Sequence, residues 1–180
     1  MANLLTAVRL LLAVPLALLI ASPDPRAPVV AALAMVLAIA TDLADGPVAR
    51  RTGTASAFGG TFDHATDCVF VVSGMTACVL RGDVPWILPV LVVAAFLQYT
   101  VDSYWFHGER RLRGSALGRW NGIFYFFPVC GVILIRLGLT FLMPALVAVC
   151  WLLVASTCVS MGERLTLVWR AFRTAPPTPS

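Results

Sequence analysis

Charge is scarce in this sequence, and one kind of it is missing outright: there is no lysine, and charged residues of every type make up 12% of the 180 positions. So few charges, beside 59% apolar residues and a mean hydropathy of +0.88, exclude an ordinary water-soluble domain and place the chain among multi-span membrane proteins. The few cysteines do not point to a site either. Cys68, Cys78, Cys130, Cys150 and Cys158 form no C-x-x-C pair and have no spaced histidine partner, so neither a zinc site nor a disulfide framework is implied and the thiols read as small apolar residues. There is no internal repeat and nothing resembling a nucleic-acid module, so no nucleic-acid partner is expected despite the formal net charge of +4.

What the chain has instead is long apolar runs. Read over a window of about 19 residues, they give six candidate spans at 4–21, 28–49, 57–80, 86–106, 119–138 and 141–161, each near the roughly 20 residues that cross a bilayer. The expected fold is all-α, a polytopic six-transmembrane-helix bundle in one membrane domain over residues 1–168. The tail from 169 to 180, rich in Pro and Thr, is expected to be disordered. Because every basic residue is an arginine, the arginines orient the bundle. With both termini cytoplasmic, ten lie on the inner side and only Arg26, Arg81 and Arg136 on the outer, in keeping with the positive-inside rule. Residues 1–22 could also be read as a secretory signal ending near Ala21 and Ser22, but Arg9 interrupts the apolar run.

Against this background one stretch stands out. TDLADGPVARRTGTASAFGGTFDHATD, residues 41–67, holds four of the nine acidic residues: Asp42, Asp45, Asp63 and Asp67. An ionised carboxylate in a bilayer costs several kcal/mol, so such residues face a bundle interior and mark function by default. At about 100° per residue, Asp42, Asp45, Gly46 and Ala49 share a stripe at the end of the second span. Gly59, Asp63 and Asp67 share another at the start of the third. A short connection containing Gly53 makes the two helices antiparallel neighbours, so the stripes should meet. Carboxylates without His or Cys select Mg²⁺, Mn²⁺ or Ca²⁺, and a two-metal arrangement suits phosphoryl transfer. The small residues Gly46, Ala49, Gly59 and Gly60 would let a phosphate or base approach the helix backbones, unless they serve only close helix packing. Arg50 could balance phosphate charge.

The spacing is specific. D42-x-x-D45-G46-x-x-A49-R50, eight residues, then G59-x-x-x-D63-x-x-x-D67 resembles the full signature of the CDP-alcohol phosphatidyltransferase family, and Asn3, Thr6, Arg9 and Pro15 resemble the segment usual before the first span of its members. The resemblance implies that Asp42, Asp45, Asp63 and Asp67 bind two divalent cations, Mg²⁺ or Mn²⁺. It further implies that Gly46, Ala49, Arg50 and Gly59 contact the cytidylyl part of a CDP-linked donor, CDP-diacylglycerol foremost, and that Asp67 is the catalytic base. The implied reaction moves a phosphatidyl group to an acceptor alcohol or lipid with release of CMP, in a homodimer surrounded by membrane lipids. Cys68 stands where family members often carry a basic residue, and His64-Ala65-Thr66 is an unfamiliar filling between the last two aspartates; neither touches the metal set.

An acceptor pocket is expected from polar residues at the same depth: Asp102, four residues after Gln98, Asn121, and the arginines Arg110, Arg111, Arg113 and Arg119 of a basic loop. A phosphorylated alcohol would need such arginines, although lipid headgroups would suit them equally. Trp86, Trp105, Trp120 and Tyr104 fit interfacial anchoring. The small size and lack of lysine point to a bacterial inner membrane, with the site on the cytoplasmic side. A competing reading is a cation carrier or channel built on the same carboxylates; it predicts transport without CMP.

Overall fold

The computed structural model describes residues 2–51, 57–101 and 116–174, with the side chains at 2–5, 45–51, 57–58, 61, 116 and 167–174 left out of that description. Seven α-helices and one short 3-10 turn make up these residues: α1 (Ala2–Ala21), α2 (Ala27–Arg51), α3 (Ala57–Leu80), α4 (Ile87–Val101), α5 (Ala116–Phe124), α6 (Phe126–Arg136), the turn Thr140–Leu142, and α7 (Met143–Thr174). The all-α expectation holds among them, with no strand. Three stretches are long and apolar enough to cross a membrane, Ala27–Ala44, Leu117–Arg136 and Thr140–Thr166, whereas Thr6–Ala21 and Ile87–Val101 are shorter apolar helices. In α3 the polar residues Asp63, His64 and Asp67 dilute an otherwise apolar helix.

The expected fifth span, 119–138, is not one straight helix. It breaks at Tyr125 into α5 and α6, and the reason is Pro128, which has no N–H for the carbonyl of Phe124 and whose ring crowds that carbonyl. At the other end of the chain α7 runs on through Thr174, so the segment expected to be a loose tail from 169 begins in helix.

Three helices form the heart of the bundle. α1 lies against both α2 and α3, its interface with α3 being the more extensive; α6 covers α2 and α3, and α7 packs on α4, α5 and α6. The buried centre is made by Ala13, Leu16 and Ile20 of α1, Ala31, Met35 and Ala38 of α2, and Phe70, Met75 and Cys78 of α3. In lipid the tails are as apolar as leucine, so close packing and polar contacts rather than water exclusion hold helices together. Gly74 shows the closeness: a Cβ there would lie 3.1 Å from Val129 of α6. The outward faces carry large apolar side chains such as Leu11, Leu33 and Leu152, about two-thirds or more exposed, as a lipid-facing surface requires.

The connections at one end are fixed by backbone and by one arginine. α3 and α6 both finish in a left-handed glycine, Gly82 (φ 82°) and Gly138 (φ 110°). In each case paired bonds close the helix, Gly82 N to Val79 O and Asp83 N to Cys78 O after α3, and Gly138 N to Ile135 O and Leu139 N to Leu134 O after α6, the Schellman pattern. Arg136 then reaches across to the open end of α1, donating to the carbonyls of Leu19, Ile20 (2.6 Å) and Ser22 (2.7 Å). The carbonyls left over at a helix C-terminus thereby gain a cationic partner.

Two glycine substitutions should part company in thermal unfolding of the detergent-solubilised protein. Gly138→Val, forced into a left-handed conformation, should cost about 1–2 kcal/mol. Gly162→Ala, in α7 with open space where the methyl would go, should be neutral or stabilising by up to about 1 kcal/mol.

Candidate functional site

Asp63 and Asp67 are one helical turn apart on α3, and Asp42 faces them from α2; one oxygen from each carboxylate lies within 4.8 Å of the others. The convergence of two acidic stripes expected from the spacing is therefore present for these three, although α2 and α3 are not the directly packed neighbours expected: among the described residues each packs on α1, which brings the stripes together. Their side chains are 36%, 35% and 26% exposed for Asp42, Asp63 and Asp67, the last being the most enclosed. Asp45, Gly46, Ala49 and Arg50 sit in the last part of α2, but their side chains lie outside the described residues; Gly59 is half-buried near the start of α3.

The unanticipated member of the group is Arg9. Its side chain is fully shielded from solvent, and the guanidinium lies among the three carboxylates. Nη1 donates to Asp42 (2.6 Å) and to Asp67, while Nη2 donates to Asp63 (2.5 Å). Thr6, one turn earlier on α1, places its hydroxyl 3.5 Å from the same Asp63 oxygen. The sequence signal was available: a cation inside an apolar run at the first span needs a buried acid to meet.

Beside the cluster opens a cavity of about 780 Å³ between α2, α3, α4, α5, α6 and α7, with Asp42 and Asp67 in its wall. Most of its lining is apolar, from residues such as Ile39, Val71, Val92, Phe96 and Phe127. Its polar members are few and placed. Arg119 and Arg164 both line it, and Arg164, nearly buried, holds its guanidinium 4.5 Å from the centre of the Tyr99 ring. His64 packs on Phe96 and Tyr99, with ring centres 5.3 and 5.0 Å away. Gln98 ties α4 to α7 by donating to the Met161 carbonyl at 3.1 Å, and its side-chain oxygen is buried with no hydrogen-bond partner among the described residues.

Of the residues expected to hold an acceptor, Arg119 is in the cavity wall. Asn121 is buried behind it, accepting a 2.6 Å hydrogen bond from Ser156 and so joining α5 to α7. Next to this tie, Tyr125 and Thr157 pair their hydroxyls at 2.8 Å. Asp102, Arg110, Arg111 and Arg113 lie outside the described residues. Arg164, counted in the sequence only among the inner-side charges, is the cavity cation that spacing did not single out.

The three carboxylates offer hard oxygen donors with no nitrogen or sulfur ligand in the cluster, a set that fits Mg²⁺ or Mn²⁺. The model of the CDP-alcohol phosphatidyltransferase family matches residues 1–169. Two curated relatives, both named probable phosphatidylglycerophosphate synthase and from two strains of Mycobacterium tuberculosis, are 35% identical over 105 residues, 56% of this chain and 50% of theirs. The chain thus spans about half the length of these relatives. No solved structure matches.

The Asn121–Ser156 tie has a measurable weight. Ser156→Ala and Asn121→Ala should each lower stability by about 1–2 kcal/mol, the loss expected when a buried partner is left unsatisfied. The double variant should fall short of the sum of the two by about 1 kcal/mol, as coupled neighbours do; strict additivity in thermal or denaturant unfolding would show that the pair carries no coupling.

Proposed function

The chain belongs to the CDP-alcohol phosphatidyltransferase family, and we propose that it transfers a phosphatidyl group from CDP-diacylglycerol to a phosphorylated alcohol of the glycerol 3-phosphate kind, with release of CMP. Family membership makes it a transferase of phospholipid biosynthesis at a membrane; donor and acceptor are our reading. The observation that carries it is the juxtaposition of the carboxylates of Asp42, Asp63 and Asp67 with an apolar cavity that also contains two arginines. The name of the mycobacterial relatives, a phosphatidylglycerophosphate synthase, supports glycerol 3-phosphate as acceptor.

The roles we propose draw on position for some residues and on the family signature for the others. Asp42, Asp63 and Asp67, together with Asp45 from the family signature, would hold the divalent cations, Mg²⁺ or Mn²⁺. Bound there, such ions neutralise charge on the donor's diphosphate and on departing CMP. Gly46, Ala49, Arg50 and Gly59 are assigned to the cytidylyl end of the donor. Asp67 is assigned to take the hydroxyl proton of an acceptor in the cavity, which its being the most enclosed of the three and in the cavity wall supports. The acceptor oxygen then bonds to the lipid-linked phosphorus as its bond to CMP breaks. Arg119 and Arg164 would receive the acceptor's phosphate, a role in which a planar guanidinium excels. Asp102, Arg110, Arg113 and Asn121 complete the expected acceptor side, Asn121 by fixing α5 against α7.

The apolar lining leaves room for the acyl end of a lipid donor, whose headgroup would come to the carboxylates. The arginine distribution supports a cytoplasmic face for the site in an inner membrane, and the family resemblance a homodimer. The family match favours the transferase over a cation carrier.

Purified protein supplied with CDP-diacylglycerol and Mn²⁺ or Mg²⁺ should release CMP with glycerol 3-phosphate and not with serine; release with serine but not with the phosphorylated alcohol would overturn the acceptor assignment. Asp67→Asn should lower turnover by about 10²–10⁴-fold while keeping donor binding. Asp42→Asn and Asp63→Asn should weaken metal and donor binding together. Arg164→Gln should raise KM for the phosphorylated acceptor far more than it lowers kcat with saturating acceptor.

A further inference from the structure

The position of Arg9 has consequences for how the cluster is loaded. Each of the three carboxylates gives one oxygen to the same guanidinium, and Arg9 is wholly buried on a helix packed against both helices that carry the aspartates. Three carboxylates with oxygens within 4.8 Å repel one another strongly in an apolar bundle. The guanidinium offsets one of their three negative charges and ties α1, α2 and α3 together at that point. A divalent cation would draw on the same carboxylates, and a guanidinium a few ångströms from it would repel it.

We propose that Arg9 is an internal cation that gathers the carboxylate group and sets its metal affinity by competing with the divalent ion for the same carboxylates. Arg9 is thus a positioning residue whose hydrogen bonds to at least part of the group must be given up on loading. The inference rests on the reading of Asp42, Asp63 and Asp67 as a divalent-metal site. Because the competent arrangement is then only fractionally populated, the apparent affinity is weakened by that fraction; a population of about 10% weakens it about tenfold.

The test is Mn²⁺ titration of the full-length protein in detergent after EDTA treatment, followed by electron paramagnetic resonance of free Mn²⁺ without donor or acceptor. Arg9→Gln should bind Mn²⁺ about tenfold more tightly than the unaltered protein. It should melt at a lower temperature in EDTA, and the deficit should close in saturating Mn²⁺. Equal or weaker Mn²⁺ affinity in Arg9→Gln, or a melting deficit of the same size with and without Mn²⁺, would show that Arg9 is only a structural ion-pair partner and overturn the proposal. Should Arg9→Gln not fold, Arg9→Lys takes its place: its ammonium lacks the planar fork whose two arms Arg9 uses and should hold the three carboxylates less well, so Mn²⁺ should again bind more tightly, and unchanged affinity overturns the idea. The unaltered protein and Asp63→Asn, titrated alongside, separate the two readings. Mn²⁺ binding by the former that Asp63→Asn weakens keeps the metal site whatever Arg9 does, whereas no Mn²⁺ binding by either overturns both.

Discussion

A guanidinium shut away from solvent is held here by three partly exposed carboxylates. Without Arg9 the three carboxylates would repel one another with no cation among them, and without its partners the buried guanidinium would be an unpaired charge in an apolar bundle. Arg9 comes from α1, Asp42 from α2, Asp63 and Asp67 from α3, so this one interaction ties α2 and α3 to the α1 that lies against both, and sets the height at which they meet it. The remaining packing agrees with it. Ala13, Leu16 and Ile20 continue down the same helix from Arg9 into the buried centre, and Ser73, two turns below the aspartates on α3, reaches the Ala13 carbonyl at 3.4 Å.

The second half of the described chain is held differently. α7 is tied by polar contacts at successive levels, Ser156 to Asn121, Thr157 to Tyr125 and the Met161 carbonyl to Gln98. Unlike apolar contacts, hydrogen bonds of this kind have a preferred partner and length, so they fix α7 axially as well as laterally. The cavity between α7 and the aspartate helices therefore has a defined width, with Arg164 held over Tyr99 and pointing into it.

Much of this was readable in the chain. The apolar runs located the helical segments, and the i, i+4 spacing of Asp63 and Asp67, facing Asp42 across a short connection, foretold that the three would meet. The break at Tyr125 was not read because hydropathy is blind to backbone bonding: the run from Leu117 to Arg136 is apolar on average, although Pro128 carries the signal within it. Arg9 and Arg164 were not read as site residues for a related reason. A count of charges per side treats Arg164 like Arg170 or Arg173 and Arg9 as a topological marker, whereas which way a side chain turns depends on the partner waiting across the bundle. Asn121 shows the converse: its depth was legible, its partner Ser156, 35 residues away, was not.

The division of labour between the helices bears on descent. The carboxylates and their guanidinium reside on α1, α2 and α3, while Gln98, Tyr99, Arg119 and Arg164 of the cavity wall reside on α4, α5 and α7. Substitutions on the far wall can accumulate without displacing a single carboxylate oxygen. Under the proposed function, the molecule accepted could then be exchanged one side chain at a time while the carboxylates stay where they are.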